Sequence, residues 1–277
     1  MLNTSELPAS GEQNPSFRAV LSNGSFMNLW LGQVFSQLAD KVILVYLIGV
    51  LLVMAGFSAS SDISRLTLVF TIPAVLFGSI AGVFVDRWSK KWLMIISNLL
   101  RGAFVLALPL ALWFKEPSVA WIYVLTFLIS TVTQFFAPAE ISMIPEVVEK
   151  RNLLAANSLF TTTMLASVVI GLGLGEPIMS VVGDRFAHLA IGGMYFISAL
   201  FLFFVRPRFQ TERKTAEASA MALLREFKEG FDYVLKDRQI LLLLLRLILL
   251  FSAFAALTIL VVGYVEDVLQ LEKRYFG

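Results

Sequence analysis

The sequence predicts an all-α membrane protein, and three observations carry that reading. Of 277 residues, 58% are hydrophobic and only 15% charged, where a soluble domain carries about 25% charge. The mean hydropathy is +0.80. Apolar runs of about 20 residues recur along the chain, each long enough as a helix to cross about 30 Å of hydrocarbon.

Residues 1–25 are polar, with Gly, Pro, Ser and Asn, and read as a loose cytoplasmic tail. Nothing basic precedes an apolar core near the start, so the first helix is expected to act as an uncleaved insertion signal. The runs that follow predict seven helices, at 26–54, 65–85, 91–113, 119–142, 155–182, 187–205 and 239–263. The first must contain Asp40 and Lys41, because the apolar residues after Lys41 are too few to span alone. Within it Gln33, Ser36, Gln37 and Asp40 follow i, i+3, i+4, i+7 spacing and share one face. Such a stripe cannot face lipid cheaply, so it lines a water-filled cavity or pairs with neighbours.

The second helix carries small residues on one face, Thr67, Thr71, Ala74, Gly78 and Gly82, and the fifth carries Ser167, Gly171 and Gly175. Small residues let helices approach closely. The third places Arg101 about 15 Å deep at 1.5 Å per residue, near enough to the depth of Asp40 for the two to pair. In the fourth, Ser130, Thr133 and Gln134 make a polar stripe before Pro138. Trp30, Phe35, Phe135 and Phe136 read either as a pocket for a bulky apolar substrate or as packing and lipid contact. Residues 206–238 form a connecting segment whose second part sets Leu223, Leu224, Phe227, Phe231, Val234 and Leu235 at helical spacing among charges. That is an amphipathic helix, lying on the inner membrane surface or against the protein's own underside. Residues 239–277 hold the seventh helix, where Arg246 is placed to snorkel toward the inner interface, and an external end.

Orientation follows from lysine and arginine. An N-terminus inside puts Arg18, Arg87, Lys90, Lys91, Lys150, Arg151 and the basic segment Arg206 to Arg238 in the cytoplasm. It leaves Arg65, Lys115, Arg185, Lys273 and Arg274 outside.

Several function classes are excluded. With no Cys and one histidine, His188, the chain has no disulfide framework and almost no ligands for zinc or haem, so neither a metal nor a cofactor is predicted. A net charge of +2 gives no ground for a nucleic-acid partner. There is no G-x-x-x-x-G-K-S/T phosphate loop, and His188 has no nucleophile arranged against it, so no catalytic residue is read.

Two motifs point further. GVFVDRWSKKWL (82–93) supplies Gly82, Asp86, Arg87, Lys90 and Lys91 between two apolar runs. It resembles the loop between the second and third helices of major facilitator superfamily transporters, with Ser89 where that family usually has a second glycine. FFAPAEISMIPEVVEKRNLLAANSL (135–159) is similar to the junction of helices four and five in the branch that includes bacterial macrolide and siderophore exporters. It is matched at Pro138-Ala139, Ile144-Pro145 and Ala156-Asn157. LWLGQVFSQLAD (29–40) also resembles that branch, whereas Glu140 stands where many of its members have a basic residue, and no arginine falls in the fourth helix.

The resemblance implies a major facilitator fold of twelve helices in two halves. This chain would hold the six-helix N-terminal half (26–205), the connecting segment and one helix of the second half. It implies truncation after the seventh helix, or else a non-transporting membrane subunit or fragment. The family builds each half from inverted three-helix repeats. Val85-Asp86-Arg87-Trp88 and Gly183-Asp184-Arg185-Phe186 sit at the two corresponding turns.

The function implied is secondary transport in a bacterial plasma membrane, the expected substrates being small amphipathic or hydrophobic molecules exported against an inward flow of protons. Partners would be that substrate, protons, lipid, and the missing second half or an oligomeric partner. Asp40, Gln33, Gln37, Arg101 and Gln134 are the expected proton or substrate cavity, with Asp40 either a proton or cation site or a structural carboxylate pinned by Lys41 or Arg101. In the family the 82–91 loop is a conformational latch whose aspartate binds the other half. IGLGLGEP (170–177) keeps glycines without the Gly-Pro-x-x-Gly-Gly order that exporters often show.

Overall fold

The computed structural model describes residues 17–55, 59–112, 119–183, 186–209 and 220–267, and its regular structure there is helical throughout. A short helix α1 (Phe17–Leu21) precedes α2 (Gly24–Ala55), α3 (Ala59–Arg87), α4 (Lys90–Ala107), α5 (Val119–Val147), α6 (Leu153–Val182) and α7 (Ala187–Phe204). Two more follow, α8 (Ala220–Lys236) and α9 (Arg238–Asp267). Among the described residues five helices are long and apolar enough to cross a membrane, six if the bent pair Arg65–Gly78 and Ile80–Arg87 is one span. Each apolar run of the sequence thus lies in a helix.

The differences from expectation have local causes. The tail is not loose throughout: residues 17–25 are folded, with Val20 buried. Asn23 caps α2 by accepting from the Ser25 and Phe26 amides at 3.0 and 3.3 Å, and its Nδ2 donates to the Val147 carbonyl at 2.7 Å. An asparagine there satisfies donors that the first helical turn otherwise leaves orphaned. The third expected helix is α-helical only to Ala107 and continues as a 3₁₀ segment, Leu108–Leu112. Pro109 has no amide to give the next α-type bond, and the Leu108 amide turns back to Val105. The amphipathic helix of the connecting segment, α8, touches α3 and α9.

α2 packs on α6 and α7, α4 on α5 and α7, and α3 on α5. Two glycines set one of these approaches, that of α4 on α7. A Cβ on Gly102 (α4) would lie 3.0 Å from the Phe196 ring and one on Gly192 (α7) 2.9 Å from Leu106 Cδ2, so a side chain at either position forces its neighbour to shift. The core is divided in two. One apolar cluster includes Phe26, Leu29, Met94, Phe136, Met143 and Leu202; the other includes Ile43, Leu47, Val105, Ile129, Ile191 and Tyr195.

One end of the bundle is stitched together by its segment ends. Ser25 Oγ donates to the Arg206 carbonyl at 3.0 Å, and the amides of Arg208 and Phe209 donate to the Glu146 carbonyl at 2.9 and 3.0 Å. Lys90 Nζ meets Glu146 Oε1 at 2.6 Å. Residues 23–25, 90, 146–147 and 206–209 therefore share an end, as the placement of basic residues predicts. At the opposite end Gly183 has φ +77°, a left-handed conformation natural to glycine, and its carbonyl accepts from the Phe186 and Ala187 amides. Asp184 and Arg185, part of the suggested repeat, lie outside the described residues.

Candidate functional site

Between the two apolar clusters lies a polar layer centred on Arg101. Its side chain is fully buried, yet it projects from the middle of a membrane-length helix, so its charge must be met inside the bundle. Nη1 donates to Asp40 Oδ1 at 3.0 Å and Oδ2 at 3.2 Å; Nη2 donates to Ser36 Oγ at 2.9 Å and to Asn98 Oδ1. The guanidinium also lies 4.2 Å from the centre of the Phe136 ring and 4.8 Å from that of Tyr195. One ring belongs to each apolar cluster, so the cation is held between two π-faces at their junction.

The second layer of contacts fixes the first. Tyr195 OH donates to Asp40 Oδ1 at 2.5 Å. Ser36 Oγ lies 3.3 Å from Asn98 Oδ1, Asn98 Nδ2 donates to Ser198 Oγ at 2.6 Å, and Ser198 Oγ donates to the Gly32 carbonyl at 2.6 Å. Gln33 Nε2 donates to the Phe160 carbonyl at 3.2 Å, while its Oε1 has no partner among the described residues; nor does Arg101 Nε. Glu140 on α5 is 5% exposed, with Arg101 and Asp40 as the charges acting on it and the Gln37 amide nearby.

The structure thus brings together Asp40 and Arg101 of the expected cavity set, with Gln37 near Glu140, while Gln33 turns instead to the Phe160 carbonyl of α6. It does not bring in Gln134, whose Nε2 bonds the Ser130 carbonyl of its own helix and whose Oε1 faces Gly78 of α3. Asp40 is pinned by Arg101 and not by Lys41, whose stem lies across Gly171. Glu140, Asn98, Tyr195 and Ser198 complete the cluster without having been singled out for it. The signal available for Glu140 and Asn98 was a charged or amide side chain inside an apolar span; Tyr195 and Ser198 gave none.

The other expected groups separate. In the 82–91 loop Asp86 is exposed, Arg87 is half-buried, and Lys91 Nζ lies 5.4 Å from the Phe203 ring centre. A Cβ on Gly82 would meet nothing within 4 Å, and Thr67, Thr71 and Ala74 are exposed, so this face of α3 is not a packing seam among the described residues. On α6, Gly171 is a seam: a Cβ there would sit 2.5 Å from Lys41 Cβ. The surroundings of Gly175 lie outside the described residues. Of the aromatics, Trp30 Nε1 donates to Thr163 Oγ1 at 2.8 Å, Phe35 stacks on Phe201 and Phe135 packs edge-on to Phe84. These are packing contacts within the bundle.

Comparison with known proteins agrees with the fold. Residues 29–277 match the sequence profile of the Major Facilitator Superfamily. The chain is 26% identical to the MFS-type transporter YfiS of Bacillus subtilis, over 80% of this chain and 51% of that protein. It is 26% identical to the multi-drug resistance efflux pump PmrA of Streptococcus pneumoniae, over 75% of this chain and 49% of the pump. Macrolide efflux protein A of Streptococcus pyogenes is 27% identical over 46% of this chain and 31% of its own length. The chain spans about half the length of the first two. No solved structure matches it. A membrane-length helical bundle with a charged layer at its centre, matched by that profile over nearly its whole length, places this chain in the major facilitator superfamily of transporters.

Proposed function

We propose that the chain acts in secondary active transport, exporting a small amphipathic or hydrophobic molecule by alternating access and drawing energy from a proton gradient. The observation that carries this reading is the buried Asp40–Arg101 pair inside membrane-length helices. Ionisable groups at such a depth are expensive to keep, and in membrane proteins they mark ion and substrate pathways. Similarity to efflux pumps supports the outward direction.

The same reading assigns the surrounding parts. The cluster is the coupling element, and the substrate cavity is completed by the second half of the fold or by an oligomeric partner. The 82–91 loop serves as the latch, with exposed Asp86 free to reach the other half and Lys90 anchored to Glu146. Arg18, Lys90, Lys91, Lys150, Arg151 and Arg206 lie in or beside the stitched end, which supports a cytoplasmic N-terminus in a bacterial plasma membrane.

The test is flux in reconstituted vesicles, with a fluorescent amphipathic amine as probe and an imposed pH gradient as the driving force. Wild-type vesicles should accumulate the probe in proportion to the gradient, and Asp40→Asn should lose that dependence. A well-folded wild type without gradient-dependent flux, or an Asp40→Asn variant with unchanged pH dependence and uptake ratio, would overturn the reading.

A further inference from the structure

We propose that the exchangeable proton of this site resides on Glu140, and that Asp40 is the fixed counter-ion of Arg101. This rests on the transport reading for the proton's use, but not for its location.

The argument begins with a count of charge. Two carboxylates, Asp40 and Glu140, share one guanidinium. Arg101 and Asp40 are the charges acting on Glu140; Tyr195 approaches the cluster from α7, and Lys41 is directed to Gly171 on the α6 side. With both carboxylates ionised the cluster carries one uncompensated negative charge in a low-dielectric interior, an arrangement proteins avoid by neutralising one group. A single proton restores neutrality.

Geometry decides which carboxylate takes it. Both oxygens of Asp40 accept from Arg101 Nη1, and Oδ1 accepts also from Tyr195 OH. That environment is built for an anion. The remaining guanidinium contacts go to Ser36 and Asn98, so Arg101 is spent on Asp40 and its neighbours. Glu140, no less enclosed at 5% exposure, makes no ion pair among the described residues. The carboxylate without a counter-ion of its own holds the proton. On release its O–H bond breaks and the proton passes to water. The cluster goes from neutral to a single negative charge, which one monovalent organic cation offsets.

Infrared difference spectroscopy of the full chain in lipid, between acid and alkaline pH, tests the assignment. A protonated-carboxyl band is expected that titrates, shifts when all glutamates carry ¹³C at the carboxyl carbon, stays in place when the aspartates do, and is lost in Glu140→Gln. Absence of a titrating band in the wild type, its persistence in Glu140→Gln, or its shift with labelled aspartate overturns the proposal. The two readings fail separately. Gradient-driven flux retained in Glu140→Gln removes this assignment alone; a Glu140 band without flux in the wild type removes transport and leaves the proton site.

Discussion

Replacing Arg101 by methionine tests whether the polar layer holds the bundle together. Methionine keeps most of the volume between the Phe136 and Tyr195 rings, so the apolar packing term changes little. What is lost is the donor set. Asp40 keeps only Tyr195, and Ser36 and Asn98 lose the guanidinium that joins them to it. Removing one partner of a buried ion pair strands the other and costs about 3–5 kcal/mol. For a chain of this size that corresponds to a fall on the order of 10 °C in melting temperature. Equilibrium unfolding in mixed micelles measures it, with Asp40→Asn in the same series. If the cost is a stranded carboxylate, the double variant Asp40→Asn/Arg101→Met regains about 1–3 kcal/mol over Arg101→Met. Additive single effects, or a loss under about 1 kcal/mol for Arg101→Met, would refute the reasoning.

Two further predictions use parts away from that layer. Gly171→Ala drives a Cβ to 2.5 Å from Lys41 Cβ, an atom that cannot swing aside, so α2 and α6 must separate at a cost of about 1–3 kcal/mol. Gly82→Ala, with nothing within 4 Å, gains about 0.5–1 kcal/mol from helix propensity; melting curves of the two variants should move in opposite directions. Lys90→Met and Glu146→Gln each break a 2.6 Å pair whose side chains are 10% and 16% exposed, and each should lose about 1–3 kcal/mol in the same unfolding assay. Additive losses in the double variant would deny the contact.

The helices were legible because apolar run length is a direct reading of bilayer thickness. The ends were not, since they depend on single residues: Pro109 shortens α4, and Asn23 extends order back to residue 17. Within the site, the Gln33–Ser36–Gln37–Asp40 face needed only helical periodicity, and the Asp40–Arg101 pair needed only depth. Glu140 defeats a depth count. It lies seven residues from the end of α5, about 10 Å in, whereas Arg101 lies eleven residues into α4, about 16 Å in. Whether Glu140 turns toward the α2 stripe is set by helix rotation, which no single span encodes. The same holds for the Gly102–Gly192 contact, since neither glycine belongs to a recognisable stripe.

The distribution of the polar layer also determines which helices can part. Asp40 is on α2, Arg101 and Asn98 on α4, Glu140 on α5, and Tyr195 and Ser198 on α7. Withdrawing α2, α4 or α7 breaks a buried hydrogen bond or leaves a charge without its partner, at several kcal/mol in a medium with no water to replace it, and withdrawing α5 removes the Phe136 ring from the guanidinium. Among the described residues α3 has no such tie to the layer, and its polar contact with α5 is Ser130 Oγ donating to the Phe70 carbonyl at 2.6 Å. α6 is joined to α2 by the close approach at Gly171 and by single bonds at Trp30 and Gln33. The polar layer therefore ties α2, α4 and α7 to one another, and any change of shape that keeps its hydrogen bonds must carry those three helices together.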